Sequence, residues 1–203
     1  MANSHYKVVF LGEGRVGKTS IGKRWEEERF DQSQRSTVAA ACYKKSMNIE
    51  GKLITINLWD TAGQEEYHSL APIYYKDAHA ALLVFSVIDQ KSFDRMVQWK
   101  KELFMSRGED IKIVVVGNKI DMVKERCISA QQAERFAQSI HAKYFEVSAK
   151  TGQGIDMLFL HVGSLLVKLQ PKGPASRAGK SKIGLQVIDA TENDTTDDKK
   201  GCC

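Results

Sequence analysis

Eight consecutive residues, Gly12-Glu13-Gly14-Arg15-Val16-Gly17-Lys18-Thr19, narrow the folds open to this chain more than any other feature. They fit the pattern G-x-x-x-x-G-K-[ST], in which a glycine-rich turn carries a strand into a helix. The flanks agree. Val8-Val9-Phe10-Leu11 reads as a buried strand, and a helix-compatible segment follows. Such a turn is built for anions. Successive backbone N–H groups form a concave nest, and the positive end of the helix points into it. Gly12 and Gly17 supply backbone shapes that a Cβ would block. Gly14, Arg15, Val16, Gly17, Lys18, Thr19 and Ser20 are the expected phosphate contacts. Lys18 reaches for the outer phosphates, and the Thr19 hydroxyl is placed to ligate Mg²⁺.

The chain as a whole sets bounds on this reading. Its 203 residues suit one domain and a tail. A net charge of +5 without a basic block interleaved with aromatics argues against nucleic acid as a partner. Cys42, Cys127, Cys202 and Cys203 are too scattered for a disulfide framework or a zinc site, which fits a reducing compartment. The N-terminus lacks the apolar core of a signal peptide, and no run is long enough to span a bilayer.

Strand and helix patterns alternate. Strands are expected at Tyr6–Leu11, Tyr43–Ile49, Leu53–Trp59, Ala80–Val87, Ile111–Val116 and Tyr144–Val147, with Glu50-Gly51 closing a hairpin between the second and third. Helices are expected at Lys18–Glu28, Lys91–Met105, Ala130–Ile140 and Ile155–Leu169, with Ser129 as an N-cap. In the last, Ile155, Leu158, Phe159, Val162, Leu165, Leu166 and Leu169 share one face at a 3.6-residue period, a core-packing stripe. The alternation predicts an α/β fold, a mostly parallel six-stranded sheet with one antiparallel strand and helices on both faces. Ligands of such sheets sit at the carboxyl ends of the strands. Beyond Gln170 the composition changes. Pro171, Gly173 and Pro174 end the helical pattern, so residues 1–170 are expected to form the domain and 171–203 a flexible tail.

Two further groups of residues lie where strand ends should meet the loop. Leu58-Trp59-Asp60 puts a carboxylate after an apolar strand, the position from which an Asp holds Mg²⁺, often through water. Thr61-Ala62-Gly63-Gln64 follows. The Gly63 N–H could sense a γ-phosphate, and the Gln64 amide, donor and acceptor at once, could orient an attacking water. Thr37, in the polar segment Asp31–Ala41, would complete the Mg²⁺ shell beside Thr19 and Asp60. Asn118-Lys119-Ile120-Asp121 follows the strand Ile113–Val116. A carboxylate there accepts from the N1–H and 2-amino groups of guanine, donors that adenine lacks, so discrimination of about 10⁴ is within reach. The Lys119 stem would lie along the base, and Phe30 would pack against it. In Ser148-Ala149-Lys150 the Ala149 N–H would donate to guanine O6.

Taken together these motifs resemble the Ras superfamily of small GTPases over about Tyr6 to Leu169, with the P-loop small G domain as the implied fold. Trp59-Asp60-Thr61-Ala62-Gly63-Gln64-Glu65 is similar to the Rab family. Tyr67-His68-Ser69-Leu70-Ala71-Pro72-Ile73-Tyr74-Tyr75 is similar to its endosomal branch, and the Gly12-Glu13-Gly14 opening with Gly117-Asn118-Lys119-Ile120-Asp121 to its Rab-twenty-one subgroup. Three positions depart from the common pattern. Cys42 replaces the Phe of an aromatic triad whose other places hold Trp59 and Tyr74, which removes contact area. Glu66 replaces an Arg, and Ala39 a Gly. The terminal Gly201-Cys202-Cys203 resembles the paired-cysteine end of Rab proteins, which receives two geranylgeranyl groups and so the two signals that stable anchoring needs.

The resemblance implies a switch that binds and hydrolyses GTP, with Mg²⁺ as cofactor and GTP or GDP as bound nucleotide. Implied partners are an exchange factor (GEF), a GTPase-activating protein (GAP), effectors, GDI or escort-type prenyl-binding proteins, and the cytoplasmic face of endosomal or other vesicle membranes, with a cytosolic pool and a monomeric chain. Intrinsic hydrolysis is expected to be slow, because no arginine is placed to act in cis. The alternatives are another P-loop enzyme, such as an ATPase, which Asp121 argues against, and a membrane-tethered scaffold that holds GTP with negligible hydrolysis.

Overall fold

The computed structural model describes residues 4–32, 41–60, 75–108 and 110–169. Thr37, Ala39, Gly63, Gln64, Glu66, Tyr74, Cys202 and Cys203 lie outside them. The chain divides into two units, Met1–Gln170 and Pro171–Cys203, and the described residues all belong to the first.

These residues form one six-stranded sheet. Its strands are β1 (Ser4–Leu11), β2 (Ala41–Ile49), β3 (Lys52–Asp60), β4 (Ala80–Ser86), β5 (Lys112–Asn118) and β6 (Lys143–Glu146), in the spatial order β2-β3-β1-β4-β5-β6. Every neighbouring pair is parallel except β2 with β3. That hairpin closes through Glu50 at φ 53° and Gly51 at φ 78°. Two consecutive positive φ values are what a tight turn needs to match the strand twist. The chain leaves β1 for one side of the sheet and returns on the other, so β1 ends at the point where strand order reverses, the usual ligand crevice of an open α/β sheet.

Strand residues alternate between two cores, because successive side chains point to opposite faces. Val8, Phe10, Leu82, Val84, Val114 and Val116 pack on the face shared with α1 (Lys18–Glu27) and with the last long helix, residues Ile155–Val167. Val9, Leu11, Leu83, Phe85, Ile113 and Val115 pack on the other. On the first face Trp25 of α1 stacks on Phe159, ring centroids 4.0 Å apart, which locks those two helices together. Such a stack contributes about 1 kcal/mol beyond the area it buries.

The helix expected at Lys91–Met105 is two helices, α2 (Gln90–Asp94) and α3 (Met96–Arg107), interrupted at Arg95. The cause is local. Ser92 is fully buried, and its hydroxyl accepts the Ser86 N–H at 3.1 Å and donates to the Asp89 carbonyl at 2.8 Å. Asp89 in turn accepts the Ser92 N–H at 3.2 Å. The first turn is thus tied to the end of β4, while Met96, Trp99 and Leu103 anchor the longer piece in the core. A 3₁₀ turn at Val123–Glu125 has no forewarning in the apolar pattern. Ser129 caps α4 (Ala130–Ser139), accepting the Gln132 N–H at 3.1 Å. The last helix, α5, stops at Val167, with Ile155, Leu158, Phe159, Val162 and Leu166 buried on the expected stripe. Among the described residues no helix is long and apolar enough to cross a membrane.

Candidate functional site

β1 runs into the glycine-rich turn, and α1 leaves it at Lys18. Gly12 has φ 141°, and a Cβ there would lie 2.1 Å from the Val84 carbonyl oxygen, so the turn can lie this close to β4 only with glycine. Gly17, at φ 96°, occupies the N-cap of α1, and a Cβ there would lie 2.3 Å from Asn118 Nδ2. Arg15, exposed, holds a left-handed backbone at φ 63°. These positive-φ residues curl the loop. Among the described residues no side chain caps α1, and no acidic residue stands in its first turn. Ser20 sits half-buried in that turn.

Lys18 is buried, and its ammonium spans the loop, donating to the carbonyls of Gly12 at 2.7 Å and Glu13 at 2.8 Å. Burial lowers its pKa to about 8, with Asp60 and Glu13 pulling the other way. A cation held in this way stabilises an anion placed beside it.

Thr19, on α1, donates through Oγ1 to Asp60 Oδ2 at 2.5 Å, joining the helix to the end of β3. Asp60 is fully buried, and its Oδ1 accepts no hydrogen bond among the described residues. Burial pushes the Asp60 carboxyl pKa up, and the Thr19 hydroxyl and the Lys18 charge oppose that. A buried carboxylate oxygen without a hydrogen bond, beside a hydroxyl, is a hard-oxygen donor set, which fits Mg²⁺. Among the described residues no cluster of three or more His, Cys, Asp or Glu could hold a metal.

At the other end, β5 delivers Asn118, which is 2% exposed. Its carboxamide bridges two loops, with Nδ2 donating to the Val16 carbonyl at 2.8 Å and Oδ1 accepting the Ala149 N–H at 3.1 Å. Lys119 follows in a left-handed conformation, φ 70°, half-buried, its pKa lowered by burial against the pull of Asp89 and Asp121. Asp121 accepts the Ser148 hydroxyl at 2.6 Å, and Ser148 Oγ accepts the Thr151 N–H at 3.1 Å. Ser148 and Ala149 are buried and Lys150 is exposed. Phe30 is half-buried against the α1–α5 core.

The structure therefore brings Lys18, Thr19 and Asp60 to one end of the crevice, and Asn118, Lys119, Asp121, Ser148 and Ala149 to the other. Thr37, Gly63 and Gln64 fall outside the described residues. Sequence reasoning missed Arg24. From the last turn of α1 its Nε donates to the Ala149 carbonyl at 2.8 Å and its Nη2 to that of Lys150 at 2.7 Å, so it holds the Ser148–Lys150 loop against α1. Nothing in the sequence flags an arginine whose partners lie more than a hundred residues away. The double duty of Asn118 was equally hidden, since its motif speaks only for the base.

The chain is similar over nearly its whole length to known proteins. A model of the Ras family matches residues 7–168. Ras-related protein Rab-21 of Rattus norvegicus is 43% identical over an alignment of 204 residues, covering 98% of this chain and 91% of that protein. Ras-related protein Rab-21 of Homo sapiens is 42% identical, covering 98% and 90% respectively. Ras-related protein Rab-5A of Dictyostelium discoideum is 36% identical over 198 residues, covering 98% and 95%.

Proposed function

The chain belongs to the Ras family and, within it, to the Rab GTPases of the Rab-21 group, and on that premise we propose how its own residues run a GTP-dependent switch in membrane trafficking. Ras-family GTPases bind GTP or GDP with Mg²⁺, and the donor set at Thr19 and Asp60 suits that ion. In this chain the backbone N–H groups of Gly14 to Ser20 hold the phosphates, and Lys18 turns from the Gly12 and Glu13 carbonyls to the outer phosphates. Thr19, Thr37 and Asp60 would hold Mg²⁺, Asp60 by way of water. The bound ion would neutralise charge on the phosphoryl oxygens during transfer.

Asp121 accepts from the guanine N1–H and 2-amino groups, its carboxylate steadied by Ser148 at 2.6 Å. Lys119 lies along the base, and the Ala149 N–H, which Asn118 Oδ1 already accepts at 3.1 Å, would be shared with O6. Phe30 and Lys150 line the rim. Gln64 orients the attacking water, and Thr37 and Gly63 are drawn to the γ-phosphate, so two segments reorganise on hydrolysis and release effectors. Turnover is slow, on the order of 10⁻⁴ to 10⁻³ s⁻¹ by analogy with Ras, and a GAP accelerates it. Geranylgeranyl groups on Cys202 and Cys203 hold residues 171–203 to the cytoplasmic face of endosomal membranes, and a GDI-type protein extracts them to a cytosolic pool. A GEF reloads GTP.

The observation that carries this reading is the Asn118 carboxamide between Val16 and Ala149, because it makes the phosphate end and the base end one frame. The decisive experiment releases the nucleotide that co-purifies with the chain and competes GTP against ATP in the presence of Mg²⁺. Guanine nucleotide is expected, with ATP failing to displace it even at about a thousandfold excess. Equal competition by ATP would remove the role given to Asp121.

A further inference from the structure

The phosphate loop carries an acidic residue of its own. Glu13 is the second residue of the loop, and its side chain is only 15% exposed. Its Oε1 is out of solvent and accepts no hydrogen bond among the described residues. Facing that oxygen at 3.3 Å is Nε of Arg95, whose side chain is 31% exposed. Arg95 stands where the helix breaks, after Asp94 ends α2 and before Met96 opens α3. The interruption that the apolar periodicity does not foresee thus sets a guanidinium against the loop. Glu13 also acts through its backbone, since its carbonyl accepts the Lys18 ammonium at 2.8 Å.

A carboxylate in this place is costly for an anion-binding loop. The ligand brings several negative charges, and in a partly desolvated loop a like charge on the loop itself is weakly screened. Removing only the cation of a buried pair leaves the carboxylate uncompensated, a larger penalty than removing both partners. A triphosphate carries more negative charge than a diphosphate, so an unneutralised Glu13 would penalise GTP more than GDP.

We propose that Arg95 is a positioning residue which, by neutralising Glu13, sets how tightly the phosphate loop holds a triphosphate relative to a diphosphate. The proposal rests on reading the loop as the phosphate site. It adds a control element on α2–α3, remote from the Gly12–Thr19 motif in sequence and next to it in space.

The test measures affinities of the full chain for fluorescent GTP and GDP with Mg²⁺, for wild type, Arg95→Gln, Arg95→Lys, Glu13→Gln and the double variant Glu13→Gln/Arg95→Gln. Arg95→Gln should weaken GTP about tenfold and GDP about threefold or less, and Arg95→Lys should keep most of the affinity. The double variant should return to within about threefold of wild type, because neutral partners no longer oppose the ligand. A merely structural contact predicts equal losses for both nucleotides and no rescue, and that result overturns the proposal, as does an Arg95→Gln variant with unchanged affinities. If Arg95→Gln does not fold, the double variant decides: recovered folding and GTP binding support the proposal, and failure to recover ends it. A wild-type chain that binds neither nucleotide defeats the phosphate-site reading itself, and this proposal with it.

Discussion

Asn118 and Val16 are 102 positions apart in the chain, yet the Asn118 carboxamide nitrogen donates to the Val16 carbonyl at 2.8 Å inside the protein. The same side chain receives the Ala149 N–H at 3.1 Å. One amide therefore sets the distance between the Gly12–Thr19 loop and the Ser148–Lys150 loop. Its two ends, a donor and an acceptor, are both used.

Asn118→Ala should therefore damage stability and binding together. It leaves a buried carbonyl at Val16 and a buried N–H at Ala149 without their partner, a loss of about 2–4 kcal/mol. Urea unfolding under saturating GDP should show the lower midpoint, and GDP release should accelerate by at least about tenfold. A variant with wild-type midpoint and release rate would mean that the bridge is incidental.

Arg24→Gln should act more narrowly. Arg24 makes no contact with the phosphate loop among its described hydrogen bonds; it holds the Ala149 and Lys150 carbonyls and, through Nη1, the Glu28 carbonyl. Hydrogen bonds from a charged donor contribute about 1.5–3 kcal/mol each, less where water competes. Guanine nucleotides should leave about tenfold faster, while inorganic pyrophosphate, which has no base to lose, should bind as to wild type. Equal weakening of pyrophosphate would place Arg24 in the phosphate end instead.

The depressed Lys18 pKa has a pH signature with a definite sign. Burial holds the folded-state value at about 8, against 10.5 for an ordinary lysine. Between those values the unfolded chain binds a proton that the folded chain does not, so the stability of nucleotide-free protein should rise with pH from about 8 toward 10.5 and be insensitive to this group below that window. Phosphates beside Lys18 restore its charged form, so the slope should shrink in the GDP-loaded protein. Urea midpoints across this range, with Lys18→Met as the control lacking the group, check the expectation. A slope that survives in Lys18→Met would assign it to another group.

Gln64→Leu should separate binding from chemistry. Losing the amide removes the donor and acceptor assigned to the attacking water, so single-turnover hydrolysis should fall by about tenfold or more while GTP affinity stays within about threefold. Undiminished turnover would take the water-orienting role away from Gln64.

Much of this architecture is legible without coordinates, for identifiable reasons. The strands Val8–Leu11, Ala80–Ser86 and Ile113–Val116 are apolar on both faces because helices cover both sides of a parallel sheet, and that leaves an unbroken apolar run to read. The stripe from Ile155 to Leu166 is readable because it is a one-dimensional repeat, and Ser129 because capping acts over three residues. The break at Arg95 escapes the same method. The pattern Phe93, Met96, Trp99, Leu103 is helical throughout, and what apolar periodicity does not report is the buried Ser92 hydroxyl, which ties the first turn to the Ser86 N–H six residues back at the end of β4.

What the order of residues settles unaided is the identity of the chemical groups and the short spans between them: a glycine-rich turn of set length between strand and helix, a carboxylate closing one strand, an asparagine closing another. Periodicity and local hydrogen bonding decide these, and both act within a few residues. Only the folded chain decides which groups meet. That Thr19 lies on Asp60, that Asn118 spans Val16 and Ala149, that Arg24 holds the Ser148–Lys150 loop and that Arg95 faces Glu13 all follow from the strand order β2-β3-β1-β4-β5-β6, which gathers the strand ends around the end of β1. These contacts cross 31 to 126 positions, and no local preference encodes them. They exist because burying both faces of the sheet leaves the chain few other ways to run.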